Sequence, residues 1–587
     1  MLYYELSFPR PHQQIIEIAL TYWADAGVAH FRLPHWRPGR YELQNYARLV
    51  ADVRATDEEG APLICKKFQS HGWAVEVPAA TQLRLRYRFF ANQTDAGGTY
   101  LDARHLLFNG ITCLMYPAQA LEQPCQMKLH LPEAFKLSGG LNEKEGAYHF
   151  SDFHTLVDSP FLAGPDLQHE ALTLAAFPIH LWVLGDAHPD FERWKRDIEQ
   201  YSRAQLEFWG SCPVEEYHYL YFMLPHRYRH GVEHHQSTVI VMGPGRNINQ
   251  PEAYQSLLEI SSHEFFHTWN VKALRPADMW PYRYEEENYS ALHYVTEGIT
   301  TYYGDLMLWK AGIWGLDEWI KSINGELGRH YQTGAQEFIS LTEASFDSWV
   351  NGYRIDGFPN RRISFYTKGY LVSMLLDTEI RRLTDHRASL DTVITELYYR
   401  VTGENRGYTR ADYLSVIEGQ TGHSFEAFFA QYIDGTQDLK PALQQLGQIY
   451  GLMMVDLEPV SPSLARYGLR TSTHEQGQVS VEQMYPGSPA EASGLMLGAE
   501  LLAIEGYAVQ GKLDELLHYL GERAVLRVQF RHMGRSQEVL LEASDYRYTS
   551  PQFVVMGQPT PEQRQALACW QAVVPAVGAP APQTPSH

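Results

Sequence analysis

The residues His263-Glu264-Phe265-Phe266-His267 have the types and spacing that hold a metal ion and work on a water beside it. Side chains four apart on a helix stand on one face, so both imidazoles can reach a single ion. The glutamate after the first histidine has a carboxylate free to act as general base in zinc-dependent hydrolysis. A catalytic zinc site takes a third protein ligand and keeps one position open. Glu297, in Thr296-Glu297-Gly298, is the candidate for it. The chemistry predicted is hydrolysis of a peptide bond with one Zn2+ per chain.

Two helices have to position these groups. Pro251 suits a first helical turn, and Leu257, Leu258 and Ile260 lead into the motif without a breaker, which predicts a helix over Pro251 to Trp269. Ser290 to Trp309 lacks proline and carries apolar residues at helical spacing, with Ser290 as its cap. Ligands on two packed helices give the rigidity a catalytic site needs.

The surrounding chain reads as multidomain α+β. At 587 residues it is long enough for about three domains. Residues 1–165 alternate in short segments such as Leu83-Arg84-Leu85-Arg86-Tyr87-Arg88-Phe89, predicting an N-terminal β-sandwich-like domain. Trp36-Arg37-Pro38-Gly39-Arg40-Tyr41 reads first as a structural turn there, with contact to substrate as the alternative. Residues 166–445 open with a strand pair and continue as helices, the thermolysin-like arrangement in which an edge strand holds an extended peptide. Residues 451–545 return to short strands and dense turns, as in Pro486-Gly487-Ser488-Pro489-Ala490 and Leu501-Leu502-Ala503-Ile504-Glu505-Gly506, and resemble a PDZ domain. Residues 546–587 are expected to be a C-terminal tail, partly disordered, with its last stretch rich in Pro and Ala.

Composition narrows the partners. A net charge of -21 argues against a nucleic acid or an anionic membrane. The five cysteines form no CxxC pair, so neither a disulfide scaffold nor a cysteine zinc knuckle is supported. The start Met1-Leu2-Tyr3-Tyr4-Glu5 lacks a basic region followed by an apolar run, so a cytoplasmic location is expected.

Beyond the zinc motif, the runs His263 to Lys272, Leu274-Arg275-Pro276 and Glu297-Gly298-Ile299-Thr300-Thr301-Tyr302-Tyr303-Gly304-Asp305 resemble those of the PDZ-containing glycyl aminopeptidases. These are zinc peptidases, and the resemblance covers nearly the whole length. The aminopeptidase N family is more distantly similar, with a shorter gap between its second histidine and its glutamate. The resemblance implies zinc held by His263, His267 and Glu297, with Glu264 as general base. Tyr366, in Tyr366-Thr367-Lys368-Gly369, matches the tyrosine that stabilises the oxyanion in the aminopeptidase N family. Gly231-Val232-Glu233-His234 resembles that family's Gly-x-x-Glu-Asn motif, with one residue fewer and His for Asn. By that match Glu233 and Gly231 bind the substrate's amino end.

The function expected is therefore an aminopeptidase acting on peptides with small N-terminal residues, Gly or Ala. A zinc endopeptidase whose PDZ domain captures a peptide C-terminus is the alternative, followed by a non-catalytic PDZ scaffold. Asn270 and Asp305 are candidates to orient the ligands; Lys272 and Arg275 are unassigned.

Overall fold

The computed structural model describes residues 1–354 and 357–574. The first 164 residues form three sheets. In the eight-stranded one, Leu2–Ser7, Ile15–Ala24, Thr81–Phe90 and Val50–Thr56 lie side by side. A four-stranded sheet centres on Gly27–Arg32 and Gly72–Val77. Alternation puts Leu83, Leu85, Tyr87 and Phe89 on the inner face, in one core with Phe31, Val75 and Val77 of the second sheet.

A new sheet begins at Gln168. The expected strand pair is in fact five strands: Gln168–Leu174, Phe177–Gly185, Tyr217–Met223, Ser237–Gly243 and, outermost, Tyr228–Glu233. The last was missed because Tyr228-Arg229-His230-Gly231 carries few apolar residues, as suits an edge. One face of this sheet packs on the N-terminal domain through Leu220, Phe222, Val232 and Val241, and the other on the helices.

The helical body holds the motif helix Pro251–Phe266, the helix Thr300–Lys310 and the long helix Phe365–Leu383 around one continuous core. Pro251 does occupy the first turn of its helix. Ser290 does not cap the second; its hydroxyl bonds the Leu292 N–H, and helix begins only at Tyr294, as a π-helical turn over Tyr294–Ile299.

The chain leaves this body through the strand Leu452–Leu457 and returns through Ser550–Val555, the two pairing antiparallel with Leu457 opposite Ser550. Between them lies a unit with its own core. It contains the strands Leu469–Thr473, Val479–Met484, Glu500–Ile504, Val525–His532 and Arg535–Glu542 and the helices Pro462–Tyr467 and Leu513–Leu520. It touches the body where Tyr485 Oη donates to the Gln332 carbonyl at 2.6 Å and Gln483 Nε2 to that of Thr333 at 3.1 Å.

The tail expected at 546–587 needs correcting. Residues 550–555 are a strand and Pro561–Gln571 a helix, and Phe553, Ala566 and Trp570 are buried in the core of the helical body. Trp570 Nε1 donates to Tyr302 Oη at 2.7 Å, while Lys310 Nζ and Arg381 Nη1 hold the Ala572 and Cys569 carbonyls. Apolar burial and these bonds offset the entropy of ordering this part of the tail. The Pro- and Ala-rich stretch from 575 lies outside the described residues. No described helix is long and apolar enough to cross a membrane.

Candidate functional site

The motif helix ends as it delivers its second histidine. His263 and His267 turn their Nε2 atoms to within 3.0 Å of each other. Glu297 Oε2 lies 3.4 Å from His267 Nε2 and 3.9 Å from His263 Nε2, so the two helical segments do converge. Glu297 stands in the π-helical turn, a form concentrated at functional sites because one extra residue per turn re-aims a side chain.

The approach depends on missing side chains. A Cβ on Gly304 would lie 3.0 Å from His263 Cα, and one on Gly298 2.6 Å from Gly369 Cα. The first contact seats the helix after Glu297 against the motif helix. The second seats Glu297 against the helix that begins at Phe365 and carries Tyr366.

Asn270 fixes the His267 ring, through its backbone. His267 Nδ1 donates to the Asn270 carbonyl at 2.7 Å, which leaves the Nε2 lone pair for a metal. The Asn270 side chain ties the same loop to the π turn, donating to the Val295 carbonyl at 3.0 Å and to Thr300 Oγ1 at 3.1 Å. Asp305 makes no hydrogen bond to either histidine among the described residues; it accepts from Ser322.

Glu264 and Glu233 come together on one side of the edge strand, with oxygens of both within 4.8 Å of each other and of a His267 nitrogen. A Cβ on Gly231 would lie 2.1 Å from Glu264 Oε1, so only glycine lets the strand run so close to that carboxylate. Gly39, at φ +76°, comes equally near Glu233: its Cβ would meet Oε2 at 2.6 Å. The Trp36 to Tyr41 segment is thus a turn and also a wall of the site, with Arg40 stacked 4.8 Å from the Tyr353 ring. Tyr353 Oη in turn lies 3.4 Å from Tyr366 Oη. These groups and both histidines line one cavity of about 510 Å³. Every candidate residue, His263, Glu264, His267, Glu297, Tyr366, Glu233 and Gly231, is on its surface. Lys272 is not; it pairs with Asp158 of the N-terminal domain at 2.6 Å, and Arg275 stacks 4.0 Å from Trp280.

The electrostatics of the cavity are those of crowded, buried charge. Burial pushes the Glu264 carboxyl up to about 8, opposed by His267 and reinforced by Glu233 and Glu297. Burial also raises Glu297. It works against charge on His267 too, yet Glu297, Glu233 and Glu264 bring that imidazole to about 10. His263 is held well below its ordinary value by burial, His267 and Arg229. Burial, with Glu297 and Tyr353, lifts the Tyr366 phenol well above its usual range, so its O–H stays available to donate.

A metal ion fits this set. His263, His267 and Glu297 offer two nitrogens and an oxygen all within 4.8 Å of one another. Glu233 Oε1 and Glu264 Oε2 are buried with no hydrogen-bond partner among the described residues. Buried carboxylates without partners are costly, and a divalent cation held by nitrogen and oxygen donors would counter them.

Sequence reasoning ranked the Gly39 and Arg40 segment as a structural turn ahead of a substrate contact, and it missed Tyr353 along with the glycine contacts between helices. Pro-Gly signals a turn whether or not the turn touches a site, and Tyr353 stands in a stretch without periodicity.

Comparison with known proteins gives two family models. Peptidase M61 N-terminal domain matches residues 3–165, and M61 glycyl aminopeptidase matches residues 256–372. Among solved structures, an aminopeptidase N family protein from Idiomarina loihiensis is 23% identical. It aligns over 97% of this chain and 100% of its own with a TM-score of 0.89, so the fold is shared along nearly the whole length. An M1 zinc metallopeptidase from Deinococcus radiodurans is 15% identical and aligns over 72% of this chain and 90% of its own. Its TM-score is 0.43. No curated protein matches the chain.

Proposed function

We propose that the protein is a zinc-dependent aminopeptidase that releases small N-terminal residues, Gly or Ala, from peptides. What carries this reading is the single cavity in which a two-histidine, one-glutamate donor set, a second buried carboxylate and an edge strand come together. The match to the M61 glycyl aminopeptidase model supports it.

In this reading His263, His267 and Glu297 hold the zinc, one ion per chain. When bound, the metal supplies Lewis acidity toward a water and the scissile carbonyl. Glu264, whose carboxyl burial makes a stronger base, takes the proton of the attacking water and passes it to the leaving amine. The Tyr366 hydroxyl donates to the oxyanion as it forms. Glu233 receives the substrate's α-ammonium by a charge-assisted hydrogen bond, at the end of the edge strand. Gly231 keeps the strand clear of the Glu264 carboxylate, and Gly39 leaves room for the Glu233 carboxylate that receives the amine.

The domains we propose are 1–165, 166–445 and 451–545, the last a PDZ domain whose core, Tyr467 to Leu541, lies between the paired strands Leu452–Leu457 and Ser550–Val555. Its candidate ligand is a peptide C-terminus, bound near Leu469 and Arg470, which line a small cavity with Ser463 and Asp514.

Purified protein incubated with amino-acid anilides and their N-acetyl forms, with and without chelator, tests the reading. Gly and Ala anilides should react, acetylated ones should not, and chelation should stop turnover. Cleavage of blocked substrates would support an endopeptidase instead.

A further inference from the structure

The edge strand Tyr228–Glu233 alternates, so Arg229, Gly231 and Glu233 share the face toward the motif helix. Gly231 abuts Glu264 and Glu233 abuts Gly39, while Arg229 reaches the acidic side chain one turn before His263, with Nη2 at 4.0 Å from Glu259 Oε2. The strand's backbone is aligned with this face. The His234 N–H donates to the Ser237 carbonyl, and bonded and unbonded positions alternate in an antiparallel pair. The N–H and C=O groups of Arg229, Gly231 and Glu233 are therefore those turned to the open edge. A peptide lying along it would meet a carboxylate at one end, bare backbone opposite the metal site, and a guanidinium at the other.

Arg229 is the less engaged of the two arginines at that far end. Arg329 is already held by both oxygens of Glu326. The Arg229 side chain is about half exposed (49%) and donates no hydrogen bond among the described residues. The acids around it have other partners: Asp305 accepts from Ser322, and Glu259 accepts from Gln255 Nε2 at 3.1 Å.

We propose that Arg229 receives the free C-terminal carboxylate of a short peptide whose amino end lies at Glu233, making oligopeptides of about three to four residues the preferred substrates. Four strand steps at about 3.3 Å separate the two residues, roughly 13 Å, which an extended peptide of that length spans. This rests on the aminopeptidase reading for the direction of the substrate.

The test compares free-acid and C-terminally amidated tri- and tetrapeptides beginning with Gly, on the zinc-loaded full-length protein. Wild type should show a kcat/KM about tenfold or more higher for the acids, the worth of a hydrogen bond between charged groups. Arg229→Gln should lower kcat/KM for the acids about tenfold more than for the amides, and Arg229→Lys should restore part of the difference. Equal handling of acid and amide by wild type, or an equal loss on both in Arg229→Gln, overturns the proposal. Faster turnover of the amides also overturns it and assigns that end to Glu259. If no peptide is cleaved, calorimetric binding of acid and amide to Glu264→Gln gives the same comparison without turnover. An acid preference there that Arg229→Gln removes upholds Arg229 even if the aminopeptidase reading fails; no preference overturns it.

Discussion

Gly298 and Gly369 meet backbone to backbone, each so close to the other's Cα that an added Cβ would sit at 2.6 or 2.8 Å. One follows Glu297 and the other comes three residues after Tyr366, so this contact sets the distance between the proposed third ligand and the proposed oxyanion donor. Gly298→Ala or Gly369→Ala should push the two segments apart. The expected cost is about 1–3 kcal/mol of stability from overpacking. Zinc content per chain should fall with it, by denaturant titration and elemental analysis. Full zinc occupancy at wild-type stability would show that the contact is slack.

Glu264→Gln removes the base and leaves the donor set in place. Zinc content should be unchanged and kcat should fall about 10²–10⁴-fold. A variant that binds zinc and turns over normally would mean that another group takes the proton.

Tyr366→Phe deletes one hydroxyl, whose neighbour is Tyr353 Oη at 3.4 Å. Loss of an oxyanion donor should reduce kcat about 10²–10³-fold with KM little changed. A rise in KM at constant kcat would instead assign the hydroxyl to substrate binding.

His293 predicts an acid limb in the stability profile. Its ring is enclosed, stacked 3.7 Å from Tyr41, and burial lowers it to about 3. The folded protein keeps it neutral, whereas the unfolded chain takes a proton below about pH 6.5. Its contribution is therefore full above that pH and is lost as pH falls toward the folded value, at about 1.4 kcal/mol per unit. Between pH 6.5 and 5, His293→Phe should remove about 2 kcal/mol of the wild-type loss, read from denaturant midpoints. Identical acid limbs would place the sensitivity elsewhere.

Trp570→Ala opens a cavity in the body's core and should cost about 3–5 kcal/mol. Excising 459–548 and joining the paired strands by a short turn should cost the body far less. Leu457 already lies opposite Ser550, and the unit's core is its own. Thermal melts of both variants decide it. Collapse on excision would mean that the contacts of Tyr485 and Gln483 with the body are essential.

The parts of the site legible in the sequence are those whose signal is local. Two histidines four apart announce a shared helix face, and Glu297 follows in a segment free of breakers. The π turn is invisible because shifting the hydrogen-bond register leaves residue types unchanged. Gly39 and Tyr353 reach the cavity through tertiary packing alone. At the far end, assigning 546–587 to a tail passed over a capping box, Thr560 with Gln563, and a tryptophan that marks a buried helix.

The pairing of Leu452–Leu457 with Ser550–Val555, and the helix beyond it, have a consequence for biosynthesis. The core of the inserted unit is made of residues between 467 and 541, so it can assemble as soon as that stretch leaves the ribosome. The helical body is complete only once Trp570 has joined its core, so the inserted unit can finish folding first.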